Sequence, residues 1–306
     1  MRINRSILVL AGVLAGLMAA AALDAGAETK IEKEFPLAAG GAFVLQTDGG
    51  PVQVRGSDRA TARIVITSRA EDVQSLYDFQ YETTPQLVKL VVKRKGSGIS
   101  SWFSMGRNDG LAFEVELPRA ARCTLGTAGG PISVADMSAG VEADTSGGPI
   151  ELRRIKGAVS ADTSGGPITI EEVDGSVDAD TSGGPIRISK VTGDITADTS
   201  GGGIDIAEAG GKVAADTSGG PISVRFGAGN AKGGSLETSG GGITIGLDPT
   251  AKLTIDASSS GGGVSCDLPV TVVGDRERTE LKGDLNGGGA LLHVRTSGGG
   301  IRISGR

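Results

Sequence analysis

The sequence is poor in the residues that enzymes and nucleic-acid-binding proteins rely on. Only 3% of its 306 residues are aromatic, and it has a single histidine, His293. No recognisable Ser/His/Asp or Cys/His set and no metal-ligand cluster accompanies that histidine. The net charge of -6, without any long basic run, argues against nucleic acid as a partner. We therefore expect a noncatalytic protein that does not bind nucleic acid.

Cysteine is almost absent as well. Cys123 and Cys266 are the only two thiols, and each aligns with an inward position of repeat units that lie several units apart. A disulfide needs α-carbons within roughly 7 Å of each other. We therefore expect two buried thiols that form no disulfide and have inert packing roles.

Long apolar runs are missing except at the N-terminus. The basic leader MRINR is followed by SILVLAGVLAGLMAAAAL and then by AGA, the pattern of a secretory signal peptide. We predict residues 1–27 as a signal peptide cleaved after Ala27; an uncleaved N-terminal anchor is the alternative. No cysteine directly follows the run to carry a lipid. We expect an exported, soluble mature chain without a transmembrane segment, in the periplasm or at the cell surface.

Glycine, in contrast, is abundant, at 52 of 306 residues, and much of it lies in one repeated octet. The octet ADTSGGPI, once as ADTSGGGI, recurs every 18 residues at positions 143–150, 161–168, 179–186, 197–204 and 215–222. Each unit alternates apolar and polar residues in two short segments, which predicts two strands separated by turns. We interpret the paired glycines as the source of the positive φ angles that sharp turns require.

Two strands per unit can form one coil of a solenoid, with successive coils about 4.8 Å apart and residue i stacked on residue i+18. The predicted fold is therefore all-β, a parallel β-helix or β-solenoid with 18-residue coils. In-register stacking also explains an outward row whose charge alternates in sign at every step: Asp136, Arg154, Glu172, Lys190 and Glu208.

The regular array does not cover the whole chain. We predict residues 28–120 as a β-rich N-terminal region that starts and caps the solenoid, and residues 121–306 as the β-solenoid repeat domain. After Gly220 the period loosens, and residues 272–289 are expected to form a larger loop or a widened coil. The last segment, GGGIRISGR, is expected to lie at an open C-terminal edge of the solenoid, with Arg302 and Arg306 discouraging end-to-end stacking.

Several segments together resemble a known family. They are IEKEFPLAAGGAFVLQTDGGPVQVRG, FEVELPRAARCTLGTAGGPISV, the tandem ADTSGGPI units and VRTSGGGIRI. On these segments the chain is similar to the bacterial "putative adhesin" family, from Glu28 to Ile303. The resemblance implies a β-helical fold and a location in the envelope or at the surface. None of these segments is catalytic.

A row of acidic residues of one sign is the most conspicuous candidate site: Asp144, Asp162, Asp180, Asp198 and Asp216, continued by Glu237. Neighbouring like charges at this spacing repel by roughly 1 to 3 kcal/mol before salt screening. One interpretation is structural, with each aspartate accepting the backbone N–H two residues on in an Asx-turn. The other is a ladder that binds divalent cations such as Ca²⁺. The same units carry threonine and serine rows, and we expect the threonines to pack inward and the serines to cap turns.

The only tryptophan, Trp102, stands beside Phe103 in SSWFSMGRNDG. These aromatics can anchor an interface, or they can plug the open end of the solenoid.

Combining these features, we expect adhesion or interaction at the cell envelope through extended solenoid faces, with an envelope protein or a surface glycan as partner. The alternative is a periplasmic structural or envelope-stress component that binds another envelope protein.

Overall fold

The computed structural model describes residues 29–96, 109–272 and 277–306. The predicted signal peptide and both interface candidates, Trp102 and Phe103, lie outside these residues. In the three described ranges, no helix combines the length and the apolar character needed to span a membrane.

The chain forms twenty-seven strands and one short helix within the described residues. In chain order they are β1 (Thr29–Pro36), β2 (Ala42–Thr47), β3 (Val52–Ser57), β4 (Thr61–Ser68), α1 (Val73–Leu76), β5 (Tyr77–Thr84), β6 (Leu87–Arg94), β7 (Ala112–Pro118), β8 (Arg122–Thr127), β9 (Ile132–Met137), β10 (Val141–Thr145), β11 (Ile150–Lys156), β12 (Val159–Thr163), β13 (Ile168–Asp174), β14 (Val177–Thr181), β15 (Ile186–Val191), β16 (Ile195–Thr199), β17 (Ile204–Ala209), β18 (Val213–Thr217), β19 (Ile222–Phe226), β20 (Gly234–Thr238), β21 (Ile243–Leu247), β22 (Leu253–Ser259), β23 (Val264–Cys266), β24 (Val270–Val272), β25 (Glu280–Leu285), β26 (Ala290–Thr296) and β27 (Ile301–Gly305).

These strands form two long sheets that face each other, which confirms the predicted all-β solenoid. Sheet A has thirteen strands in the order β1-β4-β7-β3-β9-β11-β13-β15-β17-β19-β21-β27-β23. Sheet B has fourteen, in the order β24-β25-β22-β26-β20-β18-β16-β14-β12-β10-β8-β2-β6-β5. Each regular coil contributes one strand to sheet B and the next strand to sheet A.

Coils stack in parallel and in register, as the 18-residue period predicts. Val159 pairs with Val177 and Asp162 with Asp180 between β12 and β14, so identical positions form columns. Inward columns of isoleucine, valine and alanine are almost completely buried between the sheets. Burying each isoleucine side chain contributes roughly 1.5 to 3 kcal/mol, so a core nearly without aromatics is still stabilising.

Threonine hydroxyls, and not serines, cap the TSGG turns. Thr181 is 1% exposed; its Oγ1 donates to the Gly166 carbonyl at 3.1 Å and accepts from the Gly184 N–H at 3.2 Å. The same two bonds recur at Thr145, Thr163, Thr199 and Thr217. The inward threonine row is therefore confirmed. The serines beside it are exposed, so the expectation that they cap the turns is wrong.

The second glycine of each turn pair is required by contact between coils, not by positive φ. A Cβ on Gly166 would lie 2.0 Å from the Gly148 carbonyl oxygen of the preceding coil. The same holds for the second glycine of each successive TSGG turn, whereas Gly147 has open space around it. Neither Gly147 nor Gly148 has a positive φ. The interpretation of these glycines as positive-φ residues is therefore wrong: coils 4.8 Å apart leave no room for a Cβ here.

At the N-terminal end, antiparallel strands close both sheets. Strand β1 pairs with β4 and β5 pairs with β6, and both pairs are antiparallel. The first coil is formed by β2 and β3, which pair in parallel with β8 and β9.

The C-terminal end departs from chain order. Strands β26 and β27 insert between the β20–β21 coil and the β22–β23 coil. The segment GGGIRISGR is therefore internal to sheet A, because β27 pairs with both β21 and β23, and the expected open edge there is wrong. Within the expected wide loop, β25 instead pairs antiparallel with β22 and β24.

The two thiols differ in their surroundings. Cys123 is buried, and burial raises the pKa of its thiol. Cys266 occupies the inward column that contains Ile303, but it is only half-buried, because β23 is the last strand of sheet A. The expectation of a buried Cys266 is therefore wrong. Neither cysteine forms a disulfide.

Candidate functional site

The corner where the sheet A strands end carries a row of charged residues in the left-handed conformation. Asp136, Arg154, Glu172, Lys190 and Glu208 have φ between 54° and 66°. Each is skipped in the strand pairing, as between β11 and β13, where Arg153 pairs with Glu171 and Ile155 with Val173. A non-glycine residue in this conformation costs roughly 1–2 kcal/mol. The chain thus places charged side chains at five consecutive corners where glycine would be less strained.

Arg119 extends this row by one residue, because its Nη1 donates to the Asp136 carbonyl at 3.2 Å. We name the six residues the charged corner: Arg119, Asp136, Arg154, Glu172, Lys190 and Glu208. Their charges alternate in sign along the solenoid axis. The sequence predicted the alternation of five of them but missed the left-handed backbone. The only local signal is that two polar residues in succession, Glu171 and Glu172, precede Val173 and interrupt the apolar–polar alternation.

Ion pairs join neighbouring members of the charged corner. Arg154 contacts Asp136 with Nε–Oδ1 at 2.7 Å and Nη2–Oδ2 at 3.2 Å. Lys190 Nζ lies 2.9 Å from Glu172 Oε1. The hydrogen bond from Arg154 lowers the pKa of Asp136, and the bond from Lys190 lowers the pKa of Glu172. Arg55 Nε approaches Asp136 as well, at 3.4 Å.

A groove of 590 Å³ runs along the charged corner. One wall is the corner itself from Arg119 to Lys190, and the other is formed by Lys156, Asp174 and Thr192. Because both walls carry both signs of charge, the groove is suited to a partner that is itself of mixed charge.

The outward face of sheet B has a different character. Across β10, β12, β14, β16, β18 and β20, eight of the twelve outward residues are acidic and none is Lys or Arg. We name this the acidic face: Glu142, Asp144, Asp162, Asp178, Asp180, Asp198, Asp216 and Glu237. Six strands at about 4.8 Å spacing make it about 24 Å long. The acidic face ends at Glu237, which pairs with the basic residue Arg295 of β26.

The aspartate row is stacked as predicted, with Asp162 paired between Asp144 and Asp180. Partial burial and then repulsion from neighbouring carboxylates raise the pKa of Asp162, Asp180, Asp198 and Asp216. The row is therefore a site of accumulated negative charge.

The Asx-turn interpretation of this row is wrong. The N–H two residues after Asp180 belongs to Ser182, and it donates to the Thr163 carbonyl of the preceding coil at 3.3 Å. The corresponding N–H after Asp216, on Ser218, donates to the Thr199 carbonyl. The ladder between coils thus uses the donors that Asx-turns would need.

The cation-ladder hypothesis gains no support from the geometry. Within the part of the chain that the structure describes, no three His, Cys, Asp or Glu side chains are grouped so that they could hold a metal ion. An in-register row places one carboxylate per coil, whereas Ca²⁺ takes 6–8 oxygen ligands.

The only histidine has an acidic neighbour that the sequence did not reveal. His293 Nδ1 lies 3.5 Å from Asp256 Oδ2, and Arg295 Nη2 contacts the same oxygen at 2.9 Å. The three residues meet because β26 lies directly beside β22. Sequence reasoning missed this contact because it assumed that coils stack in chain order.

No family model and no curated protein matches the chain, but it is similar to several solved bacterial structures. One is described as "a putative cell adhesion protein" from Clostridium sporogenes, at 14% identity and a TM-score of 0.23, covering 91% of this chain and 100% of that one. Another, "a putative adhesin" from Bacteroides fragilis, has 10% identity and a TM-score of 0.44, covering 91% of this chain and 98% of that one. A third, from Parabacteroides distasonis, has 9% identity and a TM-score of 0.38, with coverage of 91% and 98%. Their names agree with the family resemblance of the sequence.

Proposed function

We propose that the chain is a noncatalytic, exported, adhesin-like protein that binds a partner at the cell envelope through the acidic face. The observation that carries the proposal is an unbroken column of six acidic side chains, with Glu142 and Asp178 in the column beside it, on one sheet. Repulsion along such a row is relieved when a basic partner neutralises it, so complementary charge favours association. The partner we propose is an envelope protein or a surface glycan that presents cationic groups.

A rigid scaffold supports this mode of binding. Every strand of the acidic face is paired on both sides, and the turns beside it are tied by the threonine hydroxyl bonds. Charged groups held at fixed spacing lose little conformational freedom on binding, which lowers the entropic cost of association. Many weak contacts along the face then add up without a deep pocket.

The face is tested with two variants of equal charge change. The first, Asp162→Asn with Asp180→Asn and Asp198→Asn, neutralises three carboxylates of the acidic face. The second, Glu151→Gln with Glu171→Gln and Asp205→Asn, does the same on the outward side of sheet A, where all three are exposed or half-buried. Binding of purified protein to isolated envelope fractions should weaken with salt, fall in the first variant and persist in the second. Equal binding by the two variants would contradict the assignment of the face.

Location is tested separately by protease treatment of intact cells, with a periplasmic protein as control. Loss of the chain while the control survives supports surface exposure and a search for ligands on other cells. Protection until the outer barrier is opened would contradict adhesion and favour a periplasmic structural or envelope-stress component. In that case the acidic face would be tested on periplasmic partners.

A further inference from the structure

We propose that the charged corner is a contact surface for a second copy of the same chain, related by a twofold axis perpendicular to the solenoid. This inference goes beyond the proposed function and concerns a different surface from the acidic face.

The charged corner is self-complementary because it alternates in sign and has an even number of members. A twofold axis between Arg154 and Glu172 reverses the row, so each residue meets one of opposite charge. The contacts are Arg154 with Glu172 of the second copy, Asp136 with Lys190, and Arg119 with Glu208. In a twofold dimer every such contact occurs twice.

The surroundings of the corner strengthen this complementarity. At the N-terminal end, Asp136 is approached by three guanidinium groups, those of Arg55, Arg119 and Arg154. At the other end the single Lys190 stands between Glu172 and Glu208. Arg119 also forms an ion pair with Asp58, with Nε–Oδ1 at 3.1 Å. With that carboxylate counted, the N-terminal half still carries three positive and two negative charges, whereas the other half has one positive and two negative, and the twofold arrangement brings opposite halves together.

Attraction within one chain accounts for the alternation but not for the backbone at these positions. Five ionic residues in a row have φ between 54° and 66°, where glycine would be less strained, and the chain uses glycine freely elsewhere. The row stops after Glu208, because β19 pairs with β17 without the extra residue. The adjoining groove of 590 Å³ is open to receive long side chains such as those of Arg154 and Lys190 from the second copy.

The first test is the mass of the purified mature chain in solution at different salt concentrations, measured by sedimentation or light scattering. At low ionic strength we expect a dimer. At about 1 M salt, where charges are screened beyond about 3 Å, we expect dissociation to monomers. If the protein stays monomeric at low ionic strength at every protein concentration measured, the proposal is overturned.

Two charge-uniform variants identify the surface. Arg154→Glu with Lys190→Glu makes the corner mostly acidic, and Asp136→Lys with Glu172→Lys makes it mostly basic. Each variant alone should dimerise about tenfold more weakly or worse, because like charges meet across the axis. Mixed together they should form a one-to-one heterodimer, since all six contacts are again of opposite sign; native mass spectrometry separates the species. A mixture that stays monomeric, or variants that dimerise as well as the wild type, would contradict the proposal.

A third variant separates contacts between copies from ion pairs within a chain. Arg154→Glu with Glu172→Arg places a negative charge beside Asp136 and a positive charge beside Lys190, so like charges become neighbours within the row. It preserves every opposite-charge contact across the twofold axis. We expect it to keep the dimer even if its melting temperature falls. Loss of the dimer in a folded variant, judged by circular dichroism, would show that the row acts only within one chain.

Discussion

The hydroxyl of Thr296 donates to the carbonyl of Gly241 at 2.7 Å, across 55 residues of chain. In the regular coils the same threonine bond joins residues 15 apart, as in Thr181 to Gly166. Ser259 continues the ladder by donating to the Gly299 carbonyl at 2.6 Å. The turn bonds therefore run without interruption through three coils that are out of chain order, which shows that β26 and β27 occupy a full coil position inside the stack.

Engineered cysteines test this intercalation. Thr244 pairs with Arg302 across β21 and β27, so Thr244→Cys with Arg302→Cys, in a Cys266→Ser background, should form a disulfide on mild oxidation. The α-carbons of residues 244 and 302 are expected about 4.8 Å apart, within the range that a disulfide spans. The control, Thr244→Cys with Ser265→Cys, places β27 between the two thiols at about 9.6 Å and should stay reduced. Mass spectrometry of the oxidised proteins decides; cross-linking only of the control pair would mean that the coils follow chain order.

The reason for glycine in the turns is tested by two adjacent alanines. A Cβ on Gly166 would lie 2.0 Å from the Gly148 oxygen, whereas on Gly165 its nearest contact is at 3.9 Å. Gly166→Ala should lower the free energy of unfolding by about 1–3 kcal/mol, because the coils must separate locally. Gly165→Ala should change it by about 0.5 kcal/mol or less. Denaturant unfolding of both variants provides the comparison, and equal losses would point to backbone conformation instead of stacking.

The threonine ladder is tested at Thr181. Thr181→Val keeps the shape of the side chain but leaves the Gly184 N–H and the Gly166 carbonyl without their hydroxyl partner. Because these groups are buried, we expect a loss of about 1–3 kcal/mol. Ser182→Ala, one residue on and exposed, is the matched control and should be nearly neutral. If thermal unfolding shows equal stability for both variants, the hydroxyl bonds do not hold the turns together.

The acidic face predicts a pH dependence with a definite sign. The pKa values of Asp162, Asp180 and Asp198 are raised in the folded chain, so their contribution to stability is greatest below the ordinary aspartate pKa of about 3.9. It is lost as the pH rises through the raised values. The triple Asn variant should therefore melt at a higher temperature than the wild type at pH 7, and the difference should shrink as the pH is lowered towards 4.

Glu172 provides a control for the pH dependence of the melting temperature, because its pKa is shifted in the opposite direction. Lys190 lowers the pKa of Glu172, so ionised Glu172 stabilises the fold above its unfolded pKa, and that contribution is lost as the pH falls through the lowered value. Glu172→Gln should therefore leave the melting temperature unchanged or reduce it at pH 7. An increase in both variants would mean that general charge reduction, and not the stacked row, determines the effect.

The central array was predictable because its signals are local. Alternation of apolar and polar residues assigns inward and outward positions, and the 18-residue period assigns the register that Val159–Val177 and Asp162–Asp180 display. The candidate site was predictable only in part. The aspartate row and the alternating charges followed from the register, but the left-handed backbone of the charged corner and the contact between His293 and Asp256 did not.

The sequence by itself determined the coil, its register and the charge of each face, because a repeated unit that alternates in polarity can stack in few ways. Only the tertiary structure decided the order of the last coils and the role of the glycines. The segments TSGGGI at residues 238–243 and 296–301 are identical, so a local pattern cannot state which one neighbours SSGGGV. That choice depends on pairing between strands distant in the chain, and the need for glycine depends on how closely two coils approach.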